Sequence, residues 1–128
     1  MAVDPDKAVL DAFAKHGPEG PLVMLNLLRF TPDGRPSYEE YSRRAAVFLS
    51  RYGGELLYAG DGATPLVAGE GQAWDAVLLV RYPDREAFCG MVADPEYQQI
   101  TALRTRALSE AVLQPTAPWT SRPGSQPS

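Results

Sequence analysis

Residues 21 to 30 read PLVMLNLLRF, apolar almost throughout, with the amide of Asn26 set between Val23 to Leu25 and Leu27 to Leu28. The run is too short for a good helix and is bounded by Pro21 and by Thr31-Pro32-Asp33-Gly34, which together predict a strand. Before it, Asp4 can cap a short helix with Pro5 at its first position. Val9, Leu10, Phe13 and Ala14 form the apolar stripe of that helix, which ends near His16-Gly17-Pro18 and would brace or cover the fold. After it, Ser37 and Glu40 stand in the capping-box relation. Tyr38, Tyr41, Ala45, Phe48, Leu49 and Tyr52 then recur at helical spacing until Gly53-Gly54 stops them.

The period changes again in ELLYAG, a short strand, and after the glycine-rich connection DGATPLVAGEGQA in WDAVLLVRY, a strand from Trp74 to Tyr82 closed by Pro83. Asp84 is placed to cap a short helix over Glu86 to Val92. Asp94-Pro95 reads as a kink and a fresh helix start running to about Leu108. AVLQPT from Ala111 predicts the last strand. The order is strand, helix, strand, strand, helix, strand, the ferredoxin-like βαββαβ arrangement of an α+β sandwich with an antiparallel sheet, preceded by a short N-terminal helix. We expect one domain over residues 1–116 and a disordered tail over 117–128, which has little to bury.

Helices cover one face of such a sheet, so a monomer should show a polar opposite face. On the first strand one face carries Leu22, Met24, Asn26, Leu28 and Phe30, and the other Val23, Leu25, Leu27 and Arg29. The later strand alternates Trp74, Ala76, Leu78, Val80 and Tyr82 with Asp75, Val77, Leu79 and Arg81. Both faces are apolar at mid-strand, and an exposed apolar face implies a partner. The expected partner is a second copy, its sheet packed against the first.

Composition narrows the function classes. A net charge of −4 argues against nucleic acid and against an anionic membrane surface, both of which need clustered positive charge. Cys89 is the one cysteine, so no internal disulfide can form, and the N-terminus lacks the basic and apolar regions of a signal peptide; the expected location is cytoplasmic. One histidine and one cysteine cannot assemble an imidazole or thiolate metal site. Gly60-Asp61-Gly62 and Gly69-Glu70-Gly71 lack the third glycine and the helix of a dinucleotide fingerprint, and no serine sits in a nucleophile elbow.

The stretches PLVMLNLLRF, YEEYSRRA, GGELLYAG, WDAVLLVRYPDREAF and MVADPEYQQITALRTRAL, in this order, resemble the bacterial domain-of-unknown-function family 1330 of the dimeric alpha/beta-barrel superfamily, over roughly residues 18 to 116. The resemblance implies the ferredoxin-like fold and the face-to-face dimer. It does not select a chemistry, because the superfamily includes cofactor-independent monooxygenases, lactone isomerases, haem-degrading enzymes and small-molecule sensors. The helix histidine that ligates iron in haem-binding members is lacking between Asp94 and Leu108. The resemblance also marks Arg104, in the RTRAL run, as a recurring arginine.

The spacing from Tyr97 and Ile100 places Arg104 on or beside the face that meets the sheet. A buried arginine cannot shed its proton and needs an anionic partner, either a protein carboxylate such as Glu55 or Glu96 or an oxygen of a ligand. Asn26 shares a strand face with Phe30 and, on the neighbouring strand, with Trp74 and Tyr82. That face either lines a pocket or leaves the amide satisfied by backbone. Arg29 and Asp75, on the opposite face, form an expected cross-strand ion pair, with Arg81 as a second claimant for the carboxylate, and Arg29 and Asp75 both enter the candidate binding set. His16, the one group with an unperturbed pKa near neutrality, is a candidate general base or a helix-end capping residue. Tyr97 beside Arg104 is a candidate proton donor whose hydroxyl the arginine would acidify, or a core aromatic.

The expected function is a small-molecule-binding homodimer, extending to a cofactor-independent enzyme of oxygenase, isomerase or cyclase type acting on a small anionic or oxygen-rich organic compound. Arg104, Asn26, Tyr97 and His16 would carry the chemistry, and Phe30, Trp74, Tyr82, Arg29 and Asp75 would bind. The alternative is a non-catalytic ligand-binding or stress-associated dimer module. An open pocket holding Asn26 and Arg104 favours the first; an Arg104 tied to a carboxylate in a filled core favours the second.

Overall fold

A computed structural model describes residues 3–119 of the 128-residue chain. The elements run α1 (Lys7–His16), β1 (Leu22–Phe30), α2 (Arg35–Arg51), β2 (Glu55–Asp61), β3 (Ala76–Tyr82), α3 (Arg85–Ala93), α4 (Pro95–Gln98), α5 (Thr101–Ala107) and β4 (Leu108–Thr116). The strands form one antiparallel sheet in the order β2-β3-β1-β4, so the two central strands are β1 and β3, as the ferredoxin-like pattern requires. Among the described residues no helix is long and apolar enough to cross a membrane. Ala117 to Trp119 lack regular structure, and the rest of the expected disordered tail lies outside the described residues.

Strand parity decides what is buried. Leu22, Met24, Asn26 and Leu28 of β1 are all buried, whereas Val23, Leu25, Leu27 and Arg29 between them are half-buried. The first set meets the helices, together with the core residues Tyr41 and Phe48 of α2, Phe88 and Met91 of α3, Tyr97 of α4 and Ile100 just before α5. Asn26 pairs with Leu78 of β3 on one side and Leu113 of β4 on the other, which puts its side chain at the centre of the covered face.

The helix boundaries depart from the sequence reading in instructive ways. The carboxylate that caps α1 belongs to Asp6, which accepts from Ala8 N at 2.8 Å, and Asp4 is turned to other work. α2 starts two residues before the predicted capping box, because Pro36 needs no N–H partner in the first turn. Ser37, already inside the helix, instead donates to the Leu103 carbonyl at 2.8 Å, and Glu40 pairs with Arg43 and Arg44. Gly34 precedes the helix because a Cβ there would lie 2.1 Å from the Ala107 carbonyl oxygen. Gly53 ends it with φ at 75°, a conformation that favours glycine.

The helix expected from Pro95 to Leu108 is broken. Gln99 and Ile100 donate to the carbonyls three residues back, 3.1 and 3.0 Å, and these tight turns separate α4 from α5. β4 accordingly begins at Leu108 instead of Ala111, with a register shift at Arg29/Phe30. β3 begins at Ala76, not Trp74; just before it Asp75 donates its backbone N–H to the Leu28 carbonyl at 2.8 Å and its carboxylate accepts from Phe30 N at 2.9 Å.

Asp94 joins these pieces. Its carboxylate caps α4 through Glu96 N at 2.9 Å and accepts from Tyr52 Oη at 2.8 Å and Arg51 Nη1 at 2.9 Å. The Tyr52 hydroxyl leads in holding its pKa below the usual value, with Glu96 N and Arg51 adding to it against the opposing effect of burial. The unfolded chain therefore takes up this proton first on acidification, and the stabilisation is present at neutral pH and lost as pH falls through about 4 and below. Asp94→Asn is expected to be less stable than the parent chain at pH 7, with the gap closing towards about pH 3 in urea titrations. A gap independent of pH would show that the charge of Asp94 contributes nothing.

Candidate functional site

Between the covered face of the sheet and the helices lies a cavity of about 420 Å³, within the range of small-molecule sites. β1 contributes Asn26, and β3 contributes Leu78, Val80 and Tyr82. α2 adds Tyr38, Tyr41 and Ala45, α3 adds Met91, α4 adds Tyr97, and α5 adds Arg104. Asp4, Pro5 and Leu10 close one side. The lining is mostly apolar with a few polar groups, and among the described residues Arg104 and Asp4 are the only formally charged side chains in it.

Arg104 is 6 % exposed. Its Nη1 donates to the Val3 carbonyl and to Asp4 Oδ1 at 3.3 Å, while Nη2 is buried and has no acceptor among the described residues. The protein carboxylate that meets it is thus Asp4. Glu96 pairs with Arg51 at 3.1 Å, and Glu55 is exposed on β2. The two sequence-level alternatives coexist: the pocket is open and holds Asn26 and Arg104, and the arginine also has a carboxylate neighbour. Asn26 is 8 % exposed, and its one side-chain hydrogen bond among the described residues, Nδ2 to the Met24 carbonyl, is long at 3.3 Å. The amide is therefore incompletely satisfied within the strand.

Three buried tyrosines stand beside Arg104. Tyr41 Oη and Tyr97 Oη are 2.5 Å apart, and Tyr38 packs on Tyr41 with ring centroids 5.4 Å apart. Burial is the largest influence on all three and pushes their hydroxyls above the ordinary range, furthest for Tyr41. Arg104 pulls each down and loses to burial. The expected acidification of Tyr97 is therefore reversed in sign: it is a neutral donor, not a tyrosinate.

The remaining sequence-level candidates separate. Tyr82 lines the cavity with Asn26, Tyr97 and Arg104. Phe30 faces a shallower neighbouring hollow with Arg35 and Asp61, its ring 4.8 Å from the Arg35 guanidinium carbon. Trp74 precedes β3, so strand parity does not govern it, and it stacks on Arg29 at 4.5 Å away from the cavity. Arg29 does not pair with Asp75: its Nε donates to Glu110 Oε1 at 2.7 Å and its Nη2 to the Gly71 carbonyl at 2.9 Å. Glu110 wins because it faces Arg29 directly across β1 and β4. His16 is exposed at the end of α1 and is not among the cavity-lining residues; the α1 carbonyls it was expected to cap are met by Arg85, whose Nε donates to the Ala14 carbonyl at 3.0 Å. Sequence reasoning missed Asp4 as a site residue, and no local signal marks it, since its partner lies at position 104.

The chain matches the family described as Domain of unknown function (DUF1330) over residues 26–114. The solved structure of RPA0582, a protein of unknown function from Rhodopseudomonas palustris, is 31% identical, with a TM-score of 0.83 over 92% of this chain and 97% of that one. A hydroxynitrile lyase from Passiflora edulis superposes with a TM-score of 0.62 at 10% identity, over 82% of this chain and 100% of that one. SnoaB, a cofactor-independent oxygenase from Streptomyces nogalater, does so with a TM-score of 0.54 at 19% identity, over 81% and 98%. These last two share the fold. No curated protein shows significant sequence similarity to the chain.

The tyrosine cluster makes a spectroscopic prediction. Tyr41 and Tyr97 should ionise only above the ordinary tyrosine value near 10, so a titration followed in the near ultraviolet should show a late alkaline phase that Tyr41→Phe diminishes. Because the folded pKa values lie above the unfolded ones, the associated stabilisation is present below about pH 10 and lost as pH rises further. A single phase at the ordinary value would contradict the burial of these hydroxyls.

Proposed function

The chain belongs to the DUF1330 family, and from that premise we propose that it is a homodimeric barrel protein that binds a small oxygen-bearing organic molecule between sheet and helices and acts on it without a cofactor. The observation that carries this reading is Arg104: a buried guanidinium on the cavity wall with a terminal nitrogen that has no acceptor among the described residues. Leaving such a donor unmet costs about 1–3 kcal/mol, which a ligand oxygen would recover.

In the reaction we propose, Tyr97, backed by its 2.5 Å contact with Tyr41, donates its proton to a carbonyl oxygen on which Arg104 and Asn26 stabilise developing negative charge, while solvent takes the proton of the neighbouring carbon and reprotonates Tyr97, so that a keto compound becomes its enol. Enolisation of this kind is a step that isomerisation, cyclisation and, with dioxygen as oxidant, oxygenation can share. His16 and Trp74 have no part in it. The non-catalytic alternative draws support from the contact between Arg104 and Asp4, and it shares the ligand while lacking turnover.

The dimer rests on the uncovered sheet face. Val23, Leu25 and Leu27 of β1, Val77 and Leu79 of β3, and Val112 of β4 form a contiguous half-buried apolar surface, extended by the half-exposed Tyr58 of β2. A second copy covers it with the same residues.

Two measurements test this. Arg104→Met should fold, since an apolar side chain of similar volume tolerates burial, yet should lose the thermal shift given by small ketones and phenols. Unchanged binding and turnover in that variant would remove the proposal. Light scattering after size exclusion should give twice the chain mass at micromolar concentration, and Leu25→Asp should shift it to the monomer mass; a monomeric parent chain would overturn the dimer.

A further inference from the structure

Arg104 and Asp4 are opposite in sign and in contact, so the formal charge of the cavity wall sums to zero among the described residues. Asp4 is held in place from its other oxygen, which accepts from Thr105 Oγ1 at 2.9 Å, and its neighbour Val3 gives Nη1 a carbonyl. The charge of the arginine is already answered by the protein. What is left unanswered is hydrogen-bonding capacity, because Nη2 is a donor without an acceptor. These two deficits call for different ligands: an unmatched charge calls for an anion, but an unmatched donor on a matched charge calls only for a lone pair.

The rest of the wall agrees with that distinction. Asn26 and the Tyr41–Tyr97 pair offer neutral polar groups, and Leu78, Val80 and Met91 offer none. A carboxylate brought to Arg104 would stand beside the half-exposed Asp4 carboxylate, two negative charges sharing one buried positive charge.

Resting on the reading of this cavity as the ligand site, we propose that Asp4 is its specificity-determining residue. With Asp4 against Arg104 the site takes uncharged oxo compounds, such as ketones, esters and un-ionised phenols, and discriminates against carboxylates of the same shape. Charge becomes favourable on the ligand only as it develops at the oxygen facing Arg104, which is where a reacting site gains from having it.

The test uses matched probes, acetophenone against benzoate and 2-hexanone against pentanoate, titrated calorimetrically into the full-length chain and three variants. The parent chain should bind each ketone about tenfold or more tighter than its carboxylate. Asp4→Asn, which removes the charge and keeps the shape, should raise carboxylate affinity about tenfold and leave the ketones nearly unchanged. Asp6→Asn makes the same charge change on the same arm at a residue outside the cavity lining, and should leave the ratio as it is. A parent chain that favours the carboxylates, an Asp4→Asn ratio equal to that of the parent, or an equal shift in Asp6→Asn would each overturn the assignment. Arg104→Met separates the two levels. Loss of all binding in that variant with no change of ratio in Asp4→Asn defeats only the role of Asp4, whereas retained binding in Arg104→Met, or no probe bound by the parent chain, defeats the site itself and the role with it.

Discussion

A guanidinium that cannot lose its proton is buried in this fold, and the surrounding structure is an answer to that constraint. Removing such a charge from water is costly unless it is paired and hydrogen-bonded. The pairing comes from the far end of the chain: the segment before α1 crosses to α5 and delivers a backbone carbonyl and a carboxylate to one nitrogen of Arg104. The same segment closes the cavity, so pairing the charge of the arginine and enclosing the pocket are a single structural act. The cluster of protonated tyrosines around it follows, because hydroxyls buried beside a matched charge stay neutral.

The two-residue period of the strands apportions the remaining work. Even-numbered positions of β1 carry the core and the cavity, and Val23, Leu25 and Leu27 between them carry a half-buried apolar surface on the opposite face. Asn26 is tolerated at the centre of a buried strand because it stands at the cavity wall, where its amide need not be wholly enclosed. Had the register slipped by one, the amide would face the uncovered surface and Leu25 or Leu27 the cavity.

Elements with strong local period or punctuation were legible in the sequence: β1 between Pro21 and the Thr31 to Gly34 turn, α2 from its aromatic stripe, the Asp84 and Asp94 caps, and the break between them. Parity grouped Asn26 with Tyr82, and helical spacing together with the family resemblance marked Arg104 beside Tyr97; all four line the cavity. The failures share a cause. Asp4 and Asp6 flank Pro5 and are locally equivalent as caps, so the choice between them is made by Arg104, about a hundred residues away. Ser37 and Glu40 have the spacing of a capping box, yet Pro36 starts the helix ahead of them. Trp74 obeys strand alternation only if the strand has begun, and β3 begins at Ala76. Nothing local marks the turn at Gln99 and Ile100.

α1 itself contains no buried residue. It is fixed at its start through Val3 and Asp4, at its end by Arg85 on α3, and along its length by the Phe13–Phe88 edge contact. A helix moored mainly at its ends has less to lose on detaching than one embedded in a core, and such segments open first. Asp4, Pro5 and Leu10 wall one side of the cavity while Arg85 and Phe13 do not line it, so the enclosure of the cavity and the chemistry of its lining rest on different residues.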